Sequence, residues 1–591
     1  MNDRPHARHL KGPLPWLAAA LLLPLVLGPY HVALLGYIMI ASLVTLGLTL
    51  LTGVTGLVSF GQAAFVGMGA YTTAYLTTGW QLSPWLTLPI ALLLTGASAA
   101  AIGAVTLRMS GHFLAIASLA WGISLFYLVG NLPWFGGFNG LSGIPPLTLA
   151  GFDLRGEVPM YYVILLCAAA SFWGVLNLLD SRIGRAIRSI RHGGALAESV
   201  GADPARLKIA VFTLAAMLAA LAGWLYAHDQ RFVNPTPFGI HMGIEYLFMA
   251  VIGGASSVWG AIVGAVVVTL LRQVLEDTLP ALLGQTGNFE IVAFGILMLL
   301  VLQRARQGLW PWLVERLGVR RPASAVAPMA MPSIRTLPAR GEPVLSIDGV
   351  QKNFGGLVAV NRLSFQVEAG GILGLLGPNG AGKSTMFNLI SGVLNASAGE
   401  IRFLGRRIDR LRSRAIASCG IARTFQHVKL VPSMTVLENA ALGAHLRGRS
   451  GLVRSVLRLD RAEEARLLAE AAHQLERVGL WAQRDELAAN LPLGQQRVLE
   501  IARALAVDPV VLLLDEPAAG LRYKEKQALA GLLLRLRDEG VAVLLVEHDM
   551  DFILGITDRL VVMHYGQKLA EGAPRDVQAN ADVQLAYLGA E

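Results

Sequence analysis

Residues 373–392 read LGLLGPNGAGKSTMFNLISG. An apolar, strand-like run enters a glycine-rich turn at Gly377 and leaves it as an apolar helix after Gly382. The glycines at 377, 380 and 382, with Pro378, Asn379 and Ala381 between them, let backbone N–H groups wrap phosphate oxygens. Lys383 reaches the β and γ oxygens, and the Ser384 hydroxyl suits Mg2+. The helix N-terminus adds partial positive charge. An incidental glycine turn with an exposed lysine would lack both the strand before and the helix after. The stretch therefore predicts ATP or GTP binding.

Further along, VVLLLDEP (510–517) is an apolar strand ending in a carboxylate pair. Asp515 is expected to hold the metal and Glu516 to polarise the attacking water for in-line displacement. A further strand, LLVEHD (544–549), ends with His548 placed to contact the γ-phosphate, and ARTFQ (422–426) supplies Gln426, an amide able to sense metal or water. Each of these would be weak alone. Between them, short β-branched or leucine-rich runs alternate with helical stretches from residue 343 onward, which predicts an α/β domain with a largely parallel sheet.

The rest of the chain has a different composition. Over all 591 residues, 54% are hydrophobic and only 15% charged, so part of the protein belongs in a membrane. Apolar runs near the roughly 20 residues that cross a bilayer as a helix lie at 13–29, 31–52, 54–78, 84–107, 113–131, 159–180, 208–228, 242–275 and 288–302. The run at 242–275 is broken by GGASSVWG (253–260), which splits it into two short crossings and brings the expected count to about ten spans. The net charge of +9 sits in short loops and a linker, not on one aromatic-studded face, so membrane-flanking charge is preferred to nucleic-acid binding. The two cysteines, Cys167 and Cys419, give no disulfide framework.

Arginine and lysine near span ends resist translocation. Arg4, Arg8 and Lys11 place the N-terminus in the cytoplasm, and Arg182, Arg185, Arg188, Arg191, Arg206 and Lys208 place the 181–207 loop there too. That loop is the only inside one large enough for a docking helix, expected near 195–200. Gln62 and Glu245, polar groups in or near spans, are pathway candidates. The domains expected are a membrane domain over 1–302, a Pro/Ala/Arg-rich linker over 303–342 without sustained helical period, and the nucleotide domain over 343–591.

Taken in order, Gly377 to Thr385, Gln426, LPLGQQ (491–496), LLLDEP, AAGL (518–521) and His548 resemble the ATPase domain of ABC transporters over essentially all of 343–591. The resemblance implies ATP with Mg2+, the metal held by Ser384, Gln426 and Asp515, and catalysis by Glu516, His548 and Gln426. It also implies that Phe354 in KNFGGLVAV (352–360) stacks on adenine. LPLGQQ occupies the signature position, so Leu491, Gly494 and Gln495 would face ATP held by another subunit's phosphate loop. The general pattern has Ser at its second position, where this chain has Pro492.

More narrowly, GQQRVLEIARAL (494–505) and LLDEPAAGL (513–521) resemble the LivG-type ATPase of branched-chain amino acid importers. SFGQAAFVGMGAYTTAYL (59–76), FGGFNGLSGIP (135–145) and VIGGASSVWGAIVGA (251–265) resemble the LivM-type permease of the same systems. The chain is thus expected to be a natural fusion of a polytopic α-helical membrane domain and an ABC-type P-loop NTPase in the inner membrane. The partners implied are a LivH-type permease, a LivF-type ATPase, an external solute-binding protein, an amino acid substrate and membrane lipid, with no nucleic acid. Two alternatives stay open: import of urea or short amides, and a membrane-tethered ATPase that moves no solute.

Overall fold

The computed structural model describes residues 14–107, 113–283, 295–296, 299–301, 303–305, 307–318 and 325–588. These fall into two compact units, one within Met1–Leu178 and Ala205–Pro322, the other within Leu179–Pro204 and Ala323–Glu591.

The first unit is helical. Among the described residues six helices are long and apolar enough to cross a membrane: Pro29–Thr55, Pro84–Thr106, Phe113–Asn131, Glu157–Leu179, Pro204–Gln230 and Val258–Thr278. Pro29 and Pro84 open their helices, where the missing N–H would have had no intrahelical partner. The second and third expected spans are divided differently from the sequence reading. Thr49–Thr55 continues the preceding helix as a π-helical segment, Gly56 ends it at φ +76°, and a new helix runs Gln62–Gly79. The run at 242–275 is indeed two helices, Ile240–Gly253 and Val258–Leu283. The first has 14 residues, about 21 Å at 1.5 Å per residue, which is short of the roughly 30 Å hydrocarbon core. Most of the expected last span at 288–302, and Arg4, Arg8 and Lys11, lie outside the described residues.

Helix association in lipid depends on close packing, which small residues permit. A Cβ on Gly223 would sit 1.9 Å from Val66 O, and one on Gly69 2.2 Å from Ala220 O, so helices 62–79 and 204–230 touch backbone to backbone.

The second unit holds two sheets. Strands 421–423, 511–515, 542–546, 372–376 and 559–564 lie side by side in that order and parallel, with 567–572 antiparallel at the edge. A separate antiparallel sheet has the order 357–368, 343–354, 398–403, 406–407. The parallel strands are buried on both faces, which explains their unbroken apolar runs. Leu373, Leu375, Leu513 and Leu544 pack with Phe387 and Met386 of the helix Lys383–Ile390. Leu376, Leu512, Leu514 and Leu545 face the other way, onto Ile501 and Leu505 of helix Leu493–Leu505 and Leu529 and Leu533 of helix Tyr523–Asp538.

The linker is more ordered than its composition suggests. Leu309–Arg316 is a helix in the first unit, with Trp310 packed 6.4 Å from Trp259 between ring centroids. In the second unit the residues around Ser333–Arg335, outside any helix or strand, are held down. The Asp508 carboxylate accepts from Ser333 Oγ (2.9 Å) and Ile334 N (2.8 Å), and Arg335 donates to the carbonyls of Val507 (2.7 Å) and Ser418 (3.0 Å). Local period cannot reveal such a segment, because its order comes from polar contacts 82 to 175 residues away in sequence.

Candidate functional site

The strand Ile372–Leu376 ends in the glycine turn, and the helix starts at Lys383. Gly377 (φ +149°) and Gly382 (φ +101°) adopt conformations closed to most residues, and a Cβ on either would lie 2.2 Å from Met563 O or 2.4 Å from Ala359 O. At Gly380 (φ +83°) a Cβ would meet nothing within 4 Å, so this part of the turn faces open space. Asn379 and Ser384 are exposed, whereas Ala381 is buried. Lys383 is folded over the turn, its Nζ donating to Gly377 O (2.6 Å) and Pro378 O (2.9 Å). Burial pulls its pKa down, against the opposing pull of Glu516 and Asp515.

The strand Val511–Asp515, separated from Ile372–Leu376 by the strand 542–546, delivers the carboxylate pair toward this turn, where both carboxylates act on Lys383. Asp515 is 3% exposed, and its Oδ1 has no hydrogen-bond partner among the described residues. Its Oδ2 lies 3.6 Å from Arg423. Burial raises its pKa, opposed by Arg423. A hydroxyl at Ser384, an amide at Gln426 and a buried carboxylate oxygen free of protein donors make an all-oxygen donor set, which fits a hard divalent cation such as Mg2+.

Glu516 takes a left-handed conformation, φ +50°, unusual for a residue with a Cβ and the kind of strain that collects at functional sites. Two bonds hold its peptide: its N–H donates to Val546 O (2.9 Å), and Arg497 donates to its carbonyl (2.6 Å). The side chain then meets Gln426 and His548. Gln426 Nε2 donates to Glu516 Oε1 at 3.1 Å, and His548 Nε2 lies 3.1 Å from the same oxygen. The three residues named from sequence as catalytic are therefore joined on one carboxylate oxygen.

Phe354 ends the strand Pro343–Phe354 as an exposed ring with Lys352 Nζ 5.1 Å from its centroid. Leu491 is buried, Pro492 caps the helix Leu493–Leu505 without a side-chain bond, and Gln495 is half-buried. The atoms nearest a Cβ built on Gly494 belong to Leu521 (2.9 Å) and Glu525 (3.1 Å) of the same chain.

Sequence reading missed several supporting residues. Glu547, 3% exposed, accepts from Ala518 N (2.5 Å) and His548 N (3.1 Å), tying the AAGL turn to the histidine strand. Its signal was a charge inside an otherwise apolar run. Arg503, paired with Glu500 at 3.0 Å and donating to Lys429 O (2.5 Å), ties the signature helix to the segment after Gln426.

A second constellation joins residues 179–204 to the nucleotide domain within the same unit. The expected short helix is present as Gly194–Ser199, and Ala195 and Ser199 line a small cleft with Ile416, Arg423 and Phe425, next to Gln426. The sequence reading omitted a helix that carries most of the polar grip, Arg182–Ser189, capped by Ser181 Oγ accepting from Gly184 N (3.2 Å). Arg182 donates to the carbonyls of His445 and Ser450, each at 2.6 Å, Arg185 pairs with Glu464, and Arg188 with Glu438 (2.8 Å). These arginines, read as topology markers, are also ion-pair partners. Their spacing of three along a helix is the signal. Burial, with Arg182 and Arg185 adding to it, pushes His445 down to about 3, so it is neutral here.

Comparison with known proteins gives the family of each half of the chain. Residues 30–302 match the family model described as branched-chain amino acid transport system / permease component, 360–519 match ABC transporter, and 567–591 match branched-chain amino acid ATP-binding cassette transporter. The high-affinity branched-chain amino acid transport ATP-binding protein LivG of Salmonella typhimurium is 42% identical over 251 residues, 98% of that protein and 42% of this chain. BraF of Pseudomonas aeruginosa is 42% identical over 250 residues (98% of its length, 42% of this chain), and a probable LivG of Archaeoglobus fulgidus 37% over 248 (96% of its length, 42% of this chain). A solved nucleotide-free ATP-binding cassette from an ABC transporter is 32% identical with a TM-score of 0.38, covering 42% of this chain and 99% of that one.

Site and matches together define an ATP-binding cassette that hydrolyses ATP in coupling to transport, joined in one chain to a membrane permease. The chain belongs to the branched-chain amino acid ABC transporter family, as a fused permease and LivG-type ATPase.

Proposed function

We infer that this protein is one permease half and one ATPase half of an importer that brings branched-chain or related amino acids across the inner membrane. The observation that carries the reading is the convergence of Gln426 and His548 on Glu516 at the edge of the phosphate turn, in a chain whose other half matches a permease family. In this reading Lys383 and the turn from Gly377 to Thr385 bind the phosphates of ATP, and Phe354 stacks on adenine. Ser384, Gln426 and Asp515 hold Mg2+, which when bound neutralises charge on the phosphate oxygens. Glu516 orients and polarises the attacking water, and His548 and Gln426 hold that carboxylate in place. Leu491, Gly494 and Gln495 complete the nucleotide site of a partner ATPase.

Import is supported by the short crossover between the helices ending at Leu179 and starting at Pro204, which holds two short α-helices joined by a 3-10 turn and no long cytoplasmic extension. A domain division at 302 and 343, a count of about ten spans and a cytoplasmic N-terminus belong to the same proposal. One permease and one ATPase half need counterparts, here a LivH-type permease and a LivF-type ATPase, with an external binding protein delivering substrate. The permease match does not favour a tethered ATPase without cargo. The test is ATP hydrolysis by the assembled complex in vesicles containing the binding protein: leucine, isoleucine or valine should stimulate it, and stimulation by urea or amides alone would replace the substrate class.

A further inference from the structure

Within the membrane unit a cavity of about 730 Å³ is bounded by the helices Pro29–Leu48, Pro204–Gln230, Ile240–Gly253 and Val258–Leu283. That volume lies within the range of roughly 300–1,000 Å³ typical of small-molecule sites. Much of its wall is apolar, with Leu34, Ile40, Met242 and Phe238 among the lining residues. Into it also project three charged groups. Arg272 donates to Glu245 on the adjacent helix (3.0 Å) and to Glu276 one turn further on (2.6 Å). Tyr37, Tyr226 and His241 line the same space.

Ionisable groups at membrane depth are expensive and are kept where they face a cavity and a task. A guanidinium and two carboxylates sum to one negative charge, so the triad goes beyond self-neutralisation: it offers one fixed cation and one uncompensated anion side by side against an apolar wall. The ligand that matches all three features is a free amino acid with an apolar side chain. Its carboxylate would take the planar fork of Arg272, its ammonium Glu245 or Glu276, and its side chain the Leu34, Ile40 and Met242 surface.

We propose that this cavity is a binding site for zwitterionic, apolar amino acids on the transport path, with Arg272 and Glu245 reading the two charges. The assignment rests on the transport function inferred above.

The test uses the full chain in its assembled complex in vesicles, with Cys167 and Cys419 replaced and Met242→Cys introduced on the cavity wall. L-Leucine added directly, without binding protein, should slow maleimide modification of this cysteine. Leucinamide, which lacks the carboxylate, and 4-methylpentanoate, which lacks the ammonium, should not. Arg272→Gln should abolish leucine protection and raise the leucine concentration for half-maximal uptake roughly 10- to 100-fold, the range for one charge-assisted hydrogen bond. Glu245→Gln should act in the same direction. Equal protection by leucine and leucinamide overturns the site even if the charge variants fail to assemble, as does unchanged uptake in both variants. Uptake without any protection overturns the site alone, whereas a complex that takes up no amino acid removes the transport reading and this site with it.

Discussion

His548 Nε2 lies 3.1 Å from Glu516 Oε1, although the two residues follow the ends of different strands and are 32 positions apart. Gln426, 90 positions before Glu516, donates to the same oxygen. A carboxylate held from two sides is positioned to accept a proton from water, so its removal should affect chemistry more than binding. Glu516→Gln should keep ATP affinity and lose turnover by roughly 10²- to 10⁴-fold, the usual contribution of a general base. Single-turnover hydrolysis beside nucleotide binding measures both. Wild-type hydrolysis by an assembled Glu516→Gln complex would falsify the assignment.

Lys383 should show the opposite pattern. Its ammonium is held over the phosphate turn by two carbonyls, at 2.6 and 2.9 Å, and a charge-assisted bond is worth about 1.5–3 kcal/mol. Lys383→Ala should weaken ATP binding by roughly tenfold or more, read by equilibrium binding to the purified complex. Unchanged affinity would move the lysine out of the site.

Pro492 and Gly494 differ in what surrounds them. Pro492 caps its helix without a side-chain bond, and a serine there could accept from a first-turn N–H, worth about 0.5–2 kcal/mol. Pro492→Ser should leave activity equal or higher and stability slightly improved. Gly494→Asp should be far worse, because its Cβ would start 2.9 Å from Leu521 and bring a second carboxylate against Glu525. ATP hydrolysis and thermal stability of each purified variant give the comparison, and an active, stable Gly494→Asp complex would remove Gly494 from this tight packing and from the nucleotide site.

Arg188 and Glu438 predict a pH dependence. Burial pushes the Glu438 carboxyl up, but Arg188 and the Thr435 N–H outweigh it and hold its pKa below the usual carboxylate value. A lowered folded pKa means that the stabilisation is fully present above the unfolded value of about 4.3 and is lost as pH falls through the folded one. The difference in thermal stability between the parent and Arg188→Ala should therefore be constant from neutral pH down to that region and shrink below it. A difference that grows on acidification contradicts the pair.

Topology is testable at two exposed positions. In a background without Cys167 and Cys419, His192→Cys and Leu149→Cys should label from opposite faces of the membrane. Ser189 and Leu147, close by, are 0% and 1% exposed and would report burial instead of sidedness. Labelling of both exposed cysteines by an impermeant reagent outside intact cells reverses the orientation of one loop.

Much was legible in the residues themselves. The phosphate turn needs no tertiary information, because glycine freedom, a lysine and the strand and helix around it are all local. Six apolar helices follow from length and hydropathy. So does the break at GGASSVWG, since Gly254 takes φ +111° between two helices. Local chemistry also named Gln426, Glu516 and His548, but only as separate strand or loop ends.

What joined them was the parallel sheet, whose order sets residues 421–423 beside 511–515 and 511–515 beside 542–546, aligning their C-terminal ends. The same holds for pairs across long separations. Arg188 meets Glu438 across 250 positions and Arg272 meets Glu245 across 27; the three-residue spacing of the arginines marks one helix face, but no single segment names the partner. A charge reads in sequence as a solvated or membrane-flanking group until packing supplies its partner. Spans, turn and strand ends are thus properties of neighbouring residues, whereas the hydrolytic cluster, the arginine grip and the charged membrane cavity exist only once packing within each unit brings together groups that lie far apart in sequence.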